Sequence, residues 1–331
     1  MLDFLKNNPL VEGARTARLK PRMAAQFLIF FLVMTVAEMI ANIPVSLYST
    51  VRIMTLIDPT LLAGETLDEA ALLAEMDRIS AIIAGEDLFY FLSLFSMGAV
   101  ILVSLFYCRV IERRPLASMG VTFDRKSLPS LLLGLLFGLL MLGSAFLISY
   151  GTGAVTVAWG SADVKILILS FLAYLVVGSA EEFLCRGYLM PSLCNATSPI
   201  SAILISALFF SLMHISNPGF SAVAALNIFL FGILLGFLVL RTGNIWIACG
   251  LHAAWNFTEG ALFGMPISGT ATGRSLLVST LAEGRVTTNG GEFGPEGGVA
   301  VTVILLLAFI LFLYWPQSTK IQESVNNEPR A

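Results

Sequence analysis

The sequence predicts an all-α fold, a polytopic transmembrane helix bundle of about eight spans. Of its 331 residues, 57% are hydrophobic and only 12% are charged, whereas soluble domains carry about 25% charged residues. The apolar residues fall into eight runs, and most of them approach the length of about 20 residues that a helix needs to cross a bilayer. These runs are residues 23–48, 88–108, 128–150, 166–190, 199–215, 220–240, 244–263 and 298–315.

The composition also limits the partners and the state of the cysteines. The net charge of −3 gives no sign of nucleic-acid binding, and the apolar runs make the lipid bilayer the expected surrounding. The four cysteines lie in or beside apolar runs and form no C-x-x-C pair, so we expect buried, reduced thiols. They are Cys108, Cys185, Cys194 and Cys249.

Residues 1–164 are predicted to hold the first membrane spans and one extracytoplasmic amphipathic segment. The first 22 residues contain five basic residues and no cleavage site, so the first span is expected to remain attached. The segment 49–87 holds eight acidic and two basic residues. Within it, Thr66 and Glu69 resemble a capping box, and apolar residues at helical spacing predict a helix on the membrane surface or on the bundle. These apolar residues are Leu72, Leu73, Met76, Ile79 and Ile83.

The distribution of Lys and Arg predicts the topology. If the amino terminus is cytoplasmic and the spans alternate, the cytoplasmic segments carry 13 basic residues and the opposite segments carry 5. Cytoplasmic loops are enriched in basic residues. Both termini are therefore predicted to be cytoplasmic, and residues 263–331 to form a loop, the last span and a cytoplasmic tail.

The region 165–262 contains charged residues at membrane depth. Charges cost free energy there and mark functional sites by default. Glu182 and Arg186 are four residues apart on one helix face and can pair. Glu181 points about 100° away from Glu182 around the helix axis and is left for another role. The alternative is that all three side chains form a buried polar network that only fixes helix packing.

Both histidines of the chain, His214 and His252, also fall in predicted spans. Either one could serve only as an interhelical hydrogen-bonding residue. However, the rise of about 1.5 Å per residue brings Glu181, His214, His252 and Asn256 to similar depths in three helices. Convergence of these four side chains predicts one polar site inside the bundle.

This set of side chains suits the hydrolysis of an amide bond. A carboxylate and a histidine can hold and deprotonate a water, and a second histidine and an asparagine amide can donate to the oxyanion. Glu181, His214 and His252 could equally be three ligands of a zinc ion with a bound water. The sequence pattern leaves both alternatives open.

Three short motifs in successive predicted spans add a family resemblance: EEFLCR at 181–186, FSLMH at 210–214 and HAAWN at 252–256. They resemble the E-E-x-x-x-R, F-x-x-x-H and H-x-x-x-N motifs of the CAAX prenyl endopeptidase and bacteriocin-processing (CPBP) family of intramembrane proteases. The resemblance covers about 165–262. It implies a helical membrane bundle with a polar cavity near the cytoplasmic side.

The resemblance also implies roles for the catalytic residues. Glu181 would activate the attacking water with the help of His214, and His252 with Asn256 would form the oxyanion site. Members of this family are often labelled metalloproteases. No cofactor is required by the activated-water mechanism, while a divalent metal such as zinc would be held by Glu181, His214 and His252.

Three further residues would support the site, according to the same resemblance. Glu182 and Arg186 would be structural, and Phe210 belongs to the second motif. The expected substrate is a membrane-associated peptide or protein, and the expected location is the bacterial plasma membrane.

Two other classes of function remain as alternatives. One is a non-catalytic membrane immunity or scaffold protein with the same fold. The other is a transporter in which the intramembrane Glu and His residues relay protons. Transporters usually contain an internal repeat, and no such repeat stands out in this sequence.

Overall fold

The structure is a computed structural model that describes residues 5, 8–58 and 69–314. It confirms the all-α membrane bundle. The helices are α1 Pro9–Arg15, α2 Met23–Leu56, α3 Glu69–Ala84, α4 Asp87–Ile111, α5 Ser127–Gly151, α6 Val164–Leu193, α7 Pro199–Leu212, α8 Ala222–Thr242, α9 Trp246–Asn256 with a last turn Phe257–Leu262, and α10 Val299–Leu313. Short helical turns occur at Leu116–Met119, Val286–Asn289, Gly291–Phe293 and Pro295–Gly297.

Each of the eight predicted spans corresponds to a helix, but the helices differ in length. In the described part of the chain, five helices are long and apolar enough to cross a membrane, namely α2, α4, α5, α6 and α8. Helices α7 and α10 are apolar but shorter. The number of eight spans therefore stays a prediction. Helix α7 ends at Leu212, so His214, predicted inside a span, lies in the turn that follows the helix.

The predicted amphipathic helix between the first two spans is present as α3. It buries Ile79 and Ile83, whereas Leu73 is exposed. The helix follows the 3.6-residue spacing of these apolar side chains. Thr66, the first residue of the predicted capping box, lies outside the described residues.

Helices α5 and α9 cross in close backbone contact because glycines line the crossing. A Cβ atom on Gly134 would collide with the carbonyl oxygen of Ile247, and one on Gly138 with that of Leu251. Gly250 of α9 makes the same close approach to Leu131. The small residues of the third predicted span thus act in packing, as G-x-x-x-G spacing in a membrane helix indicates.

A two-stranded antiparallel sheet was not predicted. Strand β1, Val155–Trp159, pairs with β2, Leu277–Leu281, so that Val155 lies opposite Leu281. The two strands are short and far apart in the sequence, which means that no hairpin turn signals their pairing. The sheet ties the loop after α5 to the loop that precedes α10.

The loops gather at two ends of the bundle. The basic end comprises residues 8–22, 112–126, 194–198 and 243–245, and it is joined by hydrogen bonds such as Arg18 N to Glu112 O and Ile245 N to Gly120 O. The cavity end comprises residues 57–58, 69–86, 152–163, 213–221 and 263–298. There the Asn217 amide donates to Ser268 O at 2.7 Å, and Asn289 donates to Ala154 O at 2.9 Å.

Candidate active site

Helix α6 supplies two neighbouring carboxylates with different surroundings. The helix is regular through Glu182 and then widens into a π-helical turn, Phe183–Leu189. Because successive helical residues point about 100° apart, Glu181 projects into a cavity while Glu182 is fully buried. The side chain of Glu181 remains 21% exposed. The different directions expected from the sequence are therefore present.

Glu182 connects helix α6 to helix α9. Its Oε1 accepts a hydrogen bond from Arg186 Nη1 at 2.9 Å and another from His252 Nδ1 at 2.9 Å. The side chains of Glu182 and Arg186 are 0% and 1% exposed. The predicted i,i+4 pair is thus formed away from water, and it fixes the ring of His252.

Phe210 of α7 contacts both the ion pair and the histidines. The guanidinium carbon of Arg186 lies 4.2 Å from the centre of the Phe210 ring, an arrangement that a cation–π attraction stabilises. The rings of His214 and His252 meet Phe210 edge to face at 5.1 and 5.9 Å. Phe210 therefore packs between the charged pair and the imidazoles.

Hydrogen bonds orient both imidazole rings in the same sense. The backbone carbonyl of Phe210 lies 2.8 Å from His214 Nδ1, and a carbonyl can only accept. His252 Nδ1 faces the carboxylate of Glu182, which accepts when it is ionised. Each ring therefore carries a proton on Nδ1, and in its neutral form each Nε2 has a free lone pair. His252 Nε2 lies 3.7 Å from Glu181 Oε2.

The four predicted catalytic residues line one cavity of about 170 Å³. Glu181, His214, His252 and Asn256 are all on its wall. His252 and Asn256 are 5% and 4% exposed, so both side chains are almost completely enclosed by protein. The convergence inferred from helix depth is a feature of the structure.

The sequence did not single out Glu296, a second carboxylate on the cavity wall. Its carboxylate accepts a hydrogen bond from Trp255 Nε1 at 3.0 Å and another from Ser268 Oγ. The Asn227 amide donates to the backbone carbonyl of Glu296 at 2.7 Å. The Gly-rich stretch around Glu296 indicates a loop but not where the loop folds. Trp255, which donates this hydrogen bond, is itself buried beside the site.

The zinc alternative needs three ligands close enough to share one ion. Among residues 5, 8–58 and 69–314, no group of three or more His, Cys, Asp and Glu side chains is placed to hold a metal ion. Glu181, His214 and His252 line the same cavity, but in this arrangement they do not form a metal site.

A bundle of apolar helices that encloses Glu, His and Asn side chains defines an integral membrane protein with a polar site inside it. Residues 163–258 match the family model described as type II CAAX prenyl endopeptidase, Rce1-like. This match confirms the family predicted from the three motifs, over the segment that carries them. The segment is accordingly similar to CAAX-type membrane proteases.

A second similarity involves a different kind of enzyme. The chain is 29% identical over 150 residues to phospho-N-acetylmuramoyl-pentapeptide-transferase of Streptococcus equi subsp. zooepidemicus, from the strains MGCS10565 and H70. The alignment covers 45% of this chain and 42% of each transferase. The chain thus spans less than half of the length of these relatives.

Proposed function

We propose that this protein is an intramembrane endopeptidase that hydrolyses peptide bonds of membrane-associated proteins or peptides. The observation that carries the proposal is the cavity in which Glu181, His214, His252 and Asn256 meet. A carboxylate, two imidazoles and an amide supply a base and hydrogen-bond donors at one place. The family match over residues 163–258 supports the same activity.

In the proposed reaction, Glu181 and His214 hold a water between them. One O–H of the water points to the Glu181 carboxylate and the other to the lone pair of His214 Nε2. Glu181 takes a proton while the water oxygen forms a bond to the carbonyl carbon of the peptide. The carbonyl π electrons become the charge of an oxyanion. When the C–N bond breaks, the leaving amine takes its proton from Glu181, so the carboxylate is regenerated.

The oxyanion accepts hydrogen bonds from Asn256 and His252 in this proposal. His252 already donates from Nδ1 to Glu182, so it donates from Nε2 only when the ring is doubly protonated. The carboxylates of Glu181 and Glu182 lie on opposite nitrogens of the ring, at 3.7 and 2.9 Å, and their charges suit an imidazolium. Glu182 and Arg186 thus act by holding His252.

The transferase similarity suggests a second activity, but the cavity favours the protease. Enzymes that transfer phosphoryl groups neutralise phosphate oxygens with Lys, Arg or a metal ion. Among the described residues that line the cavity, none is Lys or Arg. Arg186 lies behind the Phe210 ring and is paired with Glu182. The peptide bond, which is neutral in the ground state, fits this wall better.

The proposal includes the location of the chain and its metal requirement. We place both termini on the cytoplasmic side of a bacterial plasma membrane, because the segments predicted to be cytoplasmic carry 13 basic residues and the opposite segments carry 5. We also propose that the water is activated without a metal. Dialysis against a chelator should leave activity unchanged. Loss that zinc restores would instead make Glu181, His214 and His252 ligands.

Mass spectrometry of membrane peptides provides the test of activity. Cells with the wild-type chain are compared with cells that carry Glu181→Gln, which keeps the size of the side chain but removes the base. Fragments that disappear in the variant identify substrates. If the two peptide profiles agree and Glu181→Gln rescues the deletion phenotype, the chain is a non-catalytic scaffold.

A further inference from the structure

We propose that the catalytic cavity is entered from the cavity end of the bundle, the extracytoplasmic side, through a vestibule beside Tyr90. The inference rests on the proposed function and assigns the side from which its substrate comes. The substrate is then a peptide or a membrane-anchored protein exposed outside the cytoplasm. The carboxy terminus of a cytoplasmic protein is excluded as a substrate by this proposal.

Dense packing closes the site toward the basic end. Every residue of the π-helical turn Phe183–Leu189 is buried. The first half of α9 is also closed, since Ile247–Leu251 are all buried. Residues 234–241 of α8 are buried in the same way. A peptide could not reach Glu181 from this direction without separating packed side chains.

The cavity wall on the opposite side is made of loop residues. Asn217 after α7, the segment 267–272 and Glu296 before α10 contribute to its lining. All of them belong to the cavity end. The Asn217–Ser268 hydrogen bond and the bond from Gly269 N to Phe293 O hold these loops over the site.

A second cavity, the vestibule, continues outward from the first. It has a volume of about 380 Å³ and is lined by residues of the α3–α4 junction and of the segment 271–278. Tyr90, Ala271 and Thr272 line both cavities. The vestibule therefore adjoins the catalytic cavity, and three residues form the common wall.

Tyr90 marks the narrow point between the two cavities. Its hydroxyl lies 2.6 Å from that of Tyr174, which is buried on α6. The backbone of Gly273 packs against the Tyr90 ring, with no room for a Cβ atom. Displacement of the Tyr90 side chain would join the vestibule to the catalytic cavity.

The topology decides which compartment the vestibule faces. The loops that line both cavities belong to the cavity end, whose described loop residues include 3 Lys and Arg side chains, against 8 in those of the basic end. The positive-inside rule therefore puts the vestibule outside the cytoplasm. A cavity near the cytoplasmic side, which the family resemblance implies, is incompatible with a basic end that faces the cytoplasm.

Cysteine labelling tests both the side and the route. The four native cysteines are buried, so a wild-type background should stay unlabelled. Ala271→Cys introduces a thiol at an exposed position that lines both cavities. A bulky, membrane-impermeant maleimide should label it in intact spheroplasts. Labelling should also reduce cleavage of the identified substrate to the level of Glu181→Gln.

Arg125→Cys is the matched control, because Arg125 is exposed at the basic end. It should be labelled only in inverted vesicles and should keep its activity. Ser161→Cys, exposed in the vestibule, replaces Ala271→Cys if that variant does not accumulate. Labelling of the vestibule cysteine only in inverted vesicles would contradict the proposed extracytoplasmic position of the vestibule. Full activity after labelling would contradict the proposed entry of substrate through the vestibule. The labelling pattern needs no activity, so it stands even if the protease proposal fails.

Discussion

Two regions meet at Glu181 and Glu182, and they differ in what surrounds them. The packed region, which begins at Glu182 and continues through Phe183–Leu189, is buried. The cavity region, which begins at Glu181, is bounded by loops, and polar side chains line its cavity. One helix therefore supplies a rigid support and a reactive group in adjacent residues. We expect changes in the packed region to cost stability and changes in the cavity region to cost turnover.

The largest expected effect comes from the cavity region. Glu181→Gln should remove nearly all turnover, because an amide cannot take the proton of the water. The variant should melt at the wild-type temperature, since Glu181 lies outside the packed region. Activity of the purified protein and its thermal unfolding in detergent measure the two quantities. Wild-type turnover in this variant would contradict the proposed chemistry.

A change in the packed region should reverse this pattern. Arg186→Ala removes one partner of a buried ion pair, which typically costs about 3–5 kcal/mol because the other charge is stranded. The folded fraction and the midpoint of unfolding should both fall. The double variant Glu182→Gln/Arg186→Ala should lose less than the sum of the two single variants. A wild-type melting curve for Arg186→Ala would mean that water reaches the pair.

Asn256→Ala tests whether the cavity region acts through the oxyanion. Removal of one oxyanion donor costs about 10²–10³ in rate. We expect a fall in kcat of this size with KM nearly unchanged. A change confined to KM would instead indicate that Asn256 binds the substrate before the reaction.

The crossing of α5 and α9 supports the packed region, and a matched pair of glycines can test it. Gly138→Ala places a Cβ atom against the backbone of Leu251, and overpacking of this kind costs about 1–3 kcal/mol. Gly143 lies on the same helix with no atom near its missing Cβ. Gly143→Ala should therefore leave the unfolding midpoint equal or higher. Equal losses in both variants would show that helix flexibility, not the crossing, is responsible.

The smallest expected effect is a pH dependence at the cavity end. Hydrogen bonds from Arg52, then from Tyr48, lower the pKa of Glu86 below its ordinary value. A carboxylate with a lowered folded-state pKa stabilises the fold above its unfolded pKa and loses this contribution as the pH falls. The difference in melting temperature between wild type and Glu86→Gln should therefore shrink on acidification. A difference that grows in acid would contradict the ion pair.

The ion pair of the packed region and the four central residues of the site could be predicted from the sequence. Spacing alone paired Glu182 with Arg186 and separated Glu181 from them, because a helix repeats every 3.6 residues. Depth counting brought His214, His252 and Asn256 to Glu181. These inferences depend only on local geometry, which a single sequence contains.

The remaining features depend on contacts between distant segments. Glu296 reaches the cavity through the fold of a Gly-rich loop, and β1 finds β2 across more than 100 residues. The position of His214 beyond the end of α7 follows from a short helix, whose end no Gly or Pro marks at that point. The hydrogen bond between His252 and Glu182 depends on how α9 and α6 are rotated relative to each other. The sequence alone does not specify this rotation.

The π-helical turn Phe183–Leu189 affects which changes in length homologous chains can tolerate. A residue deleted from a regular helix rotates everything after it by about 100°. Phe183–Leu189 already holds a wider turn, so loss of one residue there would return it to α-helical geometry with little rotation of the segment beyond. Homologues one residue shorter at this turn should therefore keep the bundle, but Arg186 would no longer lie over Phe210. An alignment gap at this turn would therefore mark homologues in which the position of Arg186 relative to Phe210 has changed.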